Sequence, residues 1–110
     1  MQINYKNKSI EKSLSSPREI LANYGTMAKN VKKRIDDLKA VDTLYDLSLI
    51  PQARCHELKG DMKGSLAVDI SASFRIIFEP NNSPIPKKED GGLDWKMITK
   101  IKITSIEDYH

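Results

Sequence analysis

The sequence has few of the residues that would cross-link a fold or insert it into a bilayer. Cys55 is its only cysteine, which excludes an internal disulfide and is typical of a reducing compartment. No apolar run approaches the roughly 20 residues that a membrane-spanning helix needs. Residues 1–8 also lack the apolar core of a signal peptide. We therefore expect a cytoplasmic protein with no membrane partner.

Motifs for metals and cofactors are lacking as well. Cys55 and His56 are adjacent, so they would point to opposite faces of a strand, and no second cysteine is present. The chain has no glycine-rich phosphate loop and no Ser-His-Asp arrangement. The sequence therefore predicts no metal site and no cofactor.

The size and charge of the chain fit one small domain. A chain of 110 residues can form one modest core, so we expect a single domain over residues 1–110. Eighteen Lys and Arg against 15 Asp and Glu give a net charge of +3. This balance permits an anionic partner such as nucleic acid but does not require one.

The first half of the chain has helical patterns. Ser16, Pro17 and Glu19 fit an N-cap, a first-turn proline and the end of a capping box, which indicates the start of a helix. Residues 26–41 then carry apolar residues at spacings of four and three, which predicts a second helix. The apolar positions of this helix are Met27, Val31, Ile35 and Leu38.

The lysines of that helix have two interpretations. Lys29, Lys32 and Lys33 can form a solvated face paired with Asp36 and Asp37, which is the usual state of a charged helix face. They can also contact RNA or a partner protein. We favour the solvated face.

The second half is rich in strand patterns. Gly60 and Gly64 bracket a polar connection that is suited to a hairpin loop. Alternating apolar residues on both sides of this loop predict strands with one buried face. The expected strands are residues 53–59, 65–71, 74–78 and 96–106. Helices followed by strands predict an α+β fold, with the N-terminal helices packed on one face of a small antiparallel sheet.

Three shorter signals complete this pattern. Residues 1–6 alternate weakly and predict an edge strand. Asp42 is expected to cap a short helical turn that ends before Pro51. Residues 80–94 form a connection of a length that is uncommon between strands and is typical of functional or mobile loops.

Polar side chains are expected on the face of the sheet that points away from the helices, which we call the open face. Strand alternation places Asp69 and Arg75 on this face. In the last strand, the same alternation places four residues on the open face: Lys100, Lys102, Asp108 and His110.

The histidines are the candidates for proton transfer, because imidazole titrates near neutral pH. Arg75 is a candidate for holding a phosphate and stabilising developing charge. Simpler interpretations exist, in which His56 is an ordinary surface residue and His110 a frayed end. Strict alternation even puts His56 on the side of Leu58, the expected core side, and only a bulge or an edge position would reverse this.

A set of residues follows in order along the second half of the chain. It runs Arg54-x-His56-x-Leu58-Lys59-Gly60-Asp61, then Gly64, then Phe74-Arg75-Ile76 and Phe78, and closes with Glu107-Asp108-Tyr109-His110. This ordered set resembles the HigB toxins of the RelE/ParE superfamily. With the helical hairpin ahead of the sheet, the resemblance covers most of the chain and implies a RelE-like fold.

The resemblance also implies a function, that of the toxin in a type II toxin-antitoxin system. Such a toxin is an endoribonuclease that cleaves messenger RNA in the ribosomal A site. Its partners are the ribosome, the message and a HigA-like antitoxin with a helix-turn-helix domain. The catalytic residues implied by the match are His56, Arg75, Asp108, Tyr109 and His110. We expect RNA contacts from Lys59, Arg54, Lys100 and Lys102.

The mechanism that we expect uses the 2′-OH of the RNA as the nucleophile and needs no metal. His56 and His110 supply the base and the acid, in an order that the sequence leaves open. Arg75 and Lys59 stabilise the negative charge of the transition state. Asp108 and Tyr109 orient His110 or the substrate.

Two other functions remain open. A ParE-type toxin shares the fold and acts by binding DNA gyrase without catalysis, but a pure binder would not need the pair of histidines. A non-catalytic RNA-binding domain would need aromatic side chains that stack on bases at the open face, for which Tyr109 and Trp95 are the candidates.

Overall fold

A computed structural model describes residues 1–108 of the chain. Within these residues the helices are α1 (Lys8–Ser13), α2 (Pro17–Tyr24), α3 (Ala28–Ala40) and α4 (Leu44–Ser48). The strands are β1 (Gln2–Tyr5), β2 (His56–Glu57), β3 (Leu66–Asp69), β4 (Phe74–Pro80) and β5 (Lys100–Asp108). No helix in this part of the chain is both long enough and apolar enough to cross a bilayer.

The strands of residues 1–108 form one sheet in the order β1-β5-β4-β3-β2. Strands β2 to β5 pair antiparallel, whereas β1 pairs parallel with β5. The expected α+β fold, with helices on one face of the sheet, is confirmed. The sheet is mixed rather than wholly antiparallel. A parallel pair needs a long connection between its strands, and the helices that follow the edge strand β1 are part of such a connection to β5.

The start of α2 follows the capping signal in the sequence. The Ser16 hydroxyl accepts a hydrogen bond from the backbone N–H of Glu19 at 3.1 Å, and Pro17 is the first helical residue. The cap of α4 is Thr43, whose hydroxyl accepts from the N–H of Asp46 at 3.1 Å. The predicted cap, Asp42, is wrong by one residue, because α4 begins at Leu44.

The core lies between the helices and the sheet, and α3 contributes a large share of it. Three of its four predicted apolar positions are buried, and Met27 is partly buried at the end of a short 3₁₀ turn. Arg34 is also buried on this stripe, at 5% exposure, and the helical pattern did not predict it. The strand residues that pack against the helices include Leu66, Val68, Ile76, Phe78, Ile101 and Ile103.

The long connection after β4 packs onto the core. Leu93 and Trp95 contact the buried cluster between helices and sheet. The indole N–H of Trp95 donates to the carboxylate of Glu57 at 3.1 Å. Trp95 therefore lies on the helix side of the sheet, and its predicted role as a base-stacking residue on the open face is wrong.

Strand β5 contains a bulge at Thr104. Ile77 lies opposite Ser105 and the next residue, Phe78, lies opposite Ile103, so Thr104 has no counterpart on β4. The Thr104 hydroxyl donates to the carbonyl of Ile77 at 3.2 Å. The extra residue reverses the side-chain alternation of β5 beyond this point.

The bulge changes which acidic residue reaches the open face. Lys100 and Lys102 precede it and lie on the open face, as expected. Beyond it, Glu107 lies opposite Arg75, whereas Asp108 belongs to the helix-facing side. The prediction that Asp108 shares a face with the two lysines is therefore wrong, because strict alternation does not allow for a bulge. Tyr109 and His110, predicted as catalytic, lie outside the described residues.

Candidate active site

His56 lies on the open face, at the edge strand β2. Its partner in the sheet is Ala67, which in turn lies opposite Ile77 of β4. Since directly paired residues point to the same side of a sheet, His56 shares the open face with these two. The core-side position that strict alternation gives is wrong, because β2 has two residues and ends before Leu58. The edge position leaves His56 exposed.

The backbone before His56 fixes the orientation of its ring. Residues Pro51–Ala53 form a 3₁₀ turn, and Arg54 then adopts a left-handed conformation with φ of 45°. The Arg54 carbonyl lies 2.7 Å from Nδ1 of His56. A carbonyl oxygen can only accept a hydrogen bond, so Nδ1 carries the proton. In the neutral ring, Nε2 is then the nitrogen that can take up a proton.

Arg54 is tied to the neighbouring strand by an ion pair. Its Nη1 lies 3.3 Å from a carboxylate oxygen of Asp69, the last residue of β3. The Asp69 side chain is 10% exposed, but that of Arg54 is 73% exposed. An anion on the open face therefore has access to Arg54 while Asp69 holds its position.

Arg75 lies on the open face between two acidic residues. Asp69 is its partner on β3, and Glu107 is its partner on β5. Nη2 of Arg75 donates to Oε1 of Glu107 at 3.2 Å, and the arginine side chain is 16% exposed. A phosphate must therefore compete with Glu107 for this guanidinium, and Arg75 also has a role in packing.

His56 and Arg75 lie near one another on the open face. They lie on the same face, two strands apart and offset by two residues, which puts their Cα atoms about 12 Å apart in standard sheet geometry. Ala67 and Ile77 lie between them and are fully buried. The imidazole of His56 and the guanidinium of Arg75 therefore flank a buried apolar pair on the same face of the sheet.

The remaining basic candidates surround this pair. Lys59 is exposed at the hairpin between β2 and β3, directly before the 3₁₀ turn Gly60–Met62. Lys102 pairs with Glu79 at 3.1 Å. Lys102 also lines a hollow of about 270 Å³ on the open face, with Lys6, Ser65, Glu79 and Thr104. Lys100 is exposed on the same face.

Three residues at or behind this site were not predicted from the sequence. Glu107 reaches Arg75 only because of the bulge, for which the sequence has no visible signal. Lys6 reaches the hollow because β1 pairs parallel with β5. Arg34 had a signal, since it lies three residues after Val31 and four before Leu38, on the stripe that faces the core.

The thiol of Cys55 is not activated as a nucleophile or as a metal ligand. Burial, and secondarily the charge of Glu57, raise the pKa of its thiol to about 12. The thiol is therefore protonated at neutral pH. Within residues 1–108, no group of three or more His, Cys, Asp or Glu side chains is arranged to hold a metal ion.

Three solved structures have a similar fold. A YoeB/ParE toxin from Agrobacterium tumefaciens is 14% identical over the whole of both chains, with a TM-score of 0.54. The YoeB-YefM complex from Staphylococcus aureus contains a chain that is 15% identical, with a TM-score of 0.56, and the match covers all of this chain and 97% of that one. A YoeB dimer from the same organism, also 15% identical and with the same coverage, has a TM-score of 0.51.

At these identities the likeness concerns the fold. No protein-family model matches the chain, and no curated protein sequence matches it.

Proposed function

We propose that this chain is the toxin of a type II toxin-antitoxin system and cleaves messenger RNA in the ribosomal A site. The fold, which it shares with YoeB and YoeB/ParE toxins, supports the toxin class. One observation supports catalysis: His56 is exposed, its ring is oriented by the Arg54 carbonyl, and Arg75 lies on the same face. A residue that only bound a partner would not need an oriented imidazole.

The proposed reaction begins with the 2′-OH of the RNA. A base removes its proton, and the 2′-oxygen attacks the adjacent phosphorus to form a 2′,3′-cyclic phosphate. The bond to the 5′-oxygen breaks, and an acid supplies the proton that this oxygen takes up. Nε2 of His56 can serve in either role, since it accepts a proton when neutral and donates one when charged. His110 is the proposed partner. We propose that Tyr109 orients His110 or the substrate, and that Asp108, which is on the helix-facing side, acts only by orienting His110.

Cationic side chains stabilise the transition state. Arg75 is the main candidate, and the transferred phosphate displaces Glu107 from it. Arg54, which is highly exposed, and Lys59 bind the flanking phosphates. Lys100 and Lys102 extend this basic surface along β5.

The ribosome supplies the positioning that the small domain lacks. The net charge is only +3 and aromatic residues make up 6% of the chain, so it has little with which to hold free RNA or unstack its bases. Orientation alone can lower a barrier by roughly 7–11 kcal/mol. A codon that is held in the A site arrives already oriented.

We also propose that an antitoxin restrains the chain. One of the similar structures is a complex of YoeB with YefM. For this chain we propose a HigA-like helix-turn-helix antitoxin, because the ordered residues from Arg54 to His110 resemble the HigB toxins.

The test compares cleavage of one message with and without translating ribosomes, and includes a gyrase supercoiling assay. The matched variants are His56→Ala, which removes the imidazole, and Lys32→Ala, which breaks the exposed Lys32–Asp36 ion pair on α3. We expect cuts only with ribosomes, lost in His56→Ala and kept in Lys32→Ala. Equal cutting of naked RNA would exclude the role of the ribosome. Inhibited supercoiling with intact messages would instead establish the gyrase-binding alternative.

A further inference from the structure

We infer that Arg34, a buried residue of α3 outside the candidate site, positions the ring of His56. This inference rests on the proposed function insofar as it concerns catalysis. Arg34 is unusual for a core position, because its side chain is only 6% exposed and carries a charge. Among the α3 residues that the structure describes, Arg34 alone has a side chain that donates hydrogen bonds to two segments outside the helix.

The guanidinium of Arg34 joins three parts of the fold. Nε donates to the carbonyl of Asp69 at 2.6 Å, at the end of β3. Nη2 donates to the carbonyl of Gln52 at 3.3 Å, in the 3₁₀ turn before β2. Nη1 pairs with the carboxylate of Asp37 at 2.6 Å, which compensates the buried charge. Three nitrogens of one rigid fork thus hold a strand end, a turn and a helix together.

Both backbone contacts lead to His56. Gln52 lies two residues before Arg54, whose carbonyl accepts the hydrogen bond from Nδ1 of His56. Asp69, held by Arg34 through its carbonyl, uses its carboxylate to pair with the side chain of Arg54. Arg34 therefore fixes Arg54 from the turn that precedes it and from the strand beside it. A shift of either support would turn the Arg54 carbonyl and, with it, the imidazole.

The competing explanation is that Arg34 only stabilises the fold. Arg34→Lys separates the two, because an ammonium keeps a charge next to Asp37 but cannot reach three acceptors with a planar fork. The matched control is Ile35→Val, which removes one methyl group from the fully packed neighbour on α3 and leaves both carbonyl contacts in place. Thermal melting of both variants measures the loss of stability.

The first measurement is independent of any enzymatic activity. The chain has two histidines, so long-range ¹H–¹⁵N spectra of the imidazoles are simple, and His110→Gln assigns them. We expect the Nδ1–H tautomer for His56 in the natural chain and in Ile35→Val. Arg34→Lys should give a mixture of tautomers. An unchanged tautomer in folded Arg34→Lys would overturn the inference.

The second measurement is cleavage of ribosome-bound message at varied toxin concentration. Because small misplacements of a catalytic group are costly, Arg34→Lys should lower the maximal rate by about 10–100-fold. The toxin concentration at half-maximal rate should stay within about twofold of the natural chain, since the binding surface is unchanged. A loss of rate in Ile35→Val equal to that in Arg34→Lys would mean that Arg34 acts through stability alone, and would overturn the inference.

The two measurements separate this inference from the proposed function. Suppose that the natural chain cuts no message, and that Arg34→Lys changes the tautomer of His56 whereas Ile35→Val does not. The proposed function then fails, and the positioning of His56 by Arg34 stands. If the natural chain cuts and the tautomer is unchanged in Arg34→Lys, the positioning fails alone. If Arg34→Lys does not fold, Asp69→Asn breaks the ion pair to Arg54 instead and should shift the tautomer in the same direction. No shift in folded Asp69→Asn would overturn the inference.

Discussion

Replacing Arg75 with alanine should reduce both stability and cleavage. The side chain is mostly buried between strands β3 and β5 and donates to Glu107 at 3.2 Å. A purely catalytic residue on an open surface would leave the fold unaffected when removed. The position of Arg75 predicts a measurable loss of folding free energy as well.

The size of that loss follows from the exposure of the two partners. Breaking a fully buried ion pair costs about 3–5 kcal/mol, whereas an exposed pair contributes at most about 1 kcal/mol. Glu107 is 37% exposed, so water can solvate its carboxylate once Arg75 is gone. We therefore expect a loss of about 1–2 kcal/mol, which lowers the Tm by roughly 4–12 °C in a domain of this size. Losing the charge stabiliser should lower the cleavage rate by about 10²–10³-fold.

The assay pairs thermal melting with cleavage of ribosome-bound message, and Glu107→Gln is the matched variant. This change weakens the same pair from the other side, so it should lower the Tm but keep or increase cleavage, because the phosphate no longer competes with a carboxylate for Arg75. A Tm loss in Arg75→Ala with full cleavage would refute a catalytic role for Arg75. An unchanged Tm would refute a stabilising contribution of the Arg75–Glu107 ion pair.

Two further predictions concern the end of the chain and its cysteine. Deleting His110 should abolish growth arrest in cells while leaving the circular dichroism spectrum and antitoxin binding unchanged; full toxicity of the shortened chain would contradict its role as the second proton-transfer group. Cys55, with its pKa raised from 9.0 to about 12, carries about 1,000-fold less thiolate at pH 8 than an ordinary thiol. Alkylation at pH 8 should therefore be slower in the folded chain than in urea, and the difference should shrink as the pH rises towards the raised pKa.

Local signals in the sequence predicted much of the fold. The cap at Ser16 and the apolar stripe of α3 depend on neighbouring residues, and both are present in the structure. The two glycines around the first hairpin loop have positive φ angles, as the loop requires. These features could be predicted because the interactions that form them are close in sequence.

The candidate site was harder to predict, because its geometry depends on pairing between distant residues. Because of the bulge at Thr104, Glu107 rather than Asp108 lies on the open face. The sequence gives no sign of this bulge, since threonine is common in regular strands. His56 faces the open side because β2 is short and its pairing with Ala67 sets its direction. Arg34 could have been noticed, since a charged residue on an apolar helical stripe needs buried partners.

In the proposed reaction, the 2′-OH of a message in the ribosomal A site is the nucleophile. The most direct measurement uses translating ribosomes stalled on two messages that differ by one 2′-deoxy substitution at the cut position. We expect the all-ribose message to be cut to a 2′,3′-cyclic phosphate and a 5′-hydroxyl end, and the substituted message to stay uncut at that position. Cleavage of the 2′-deoxy message, or a 5′-phosphate at the new end, would contradict it.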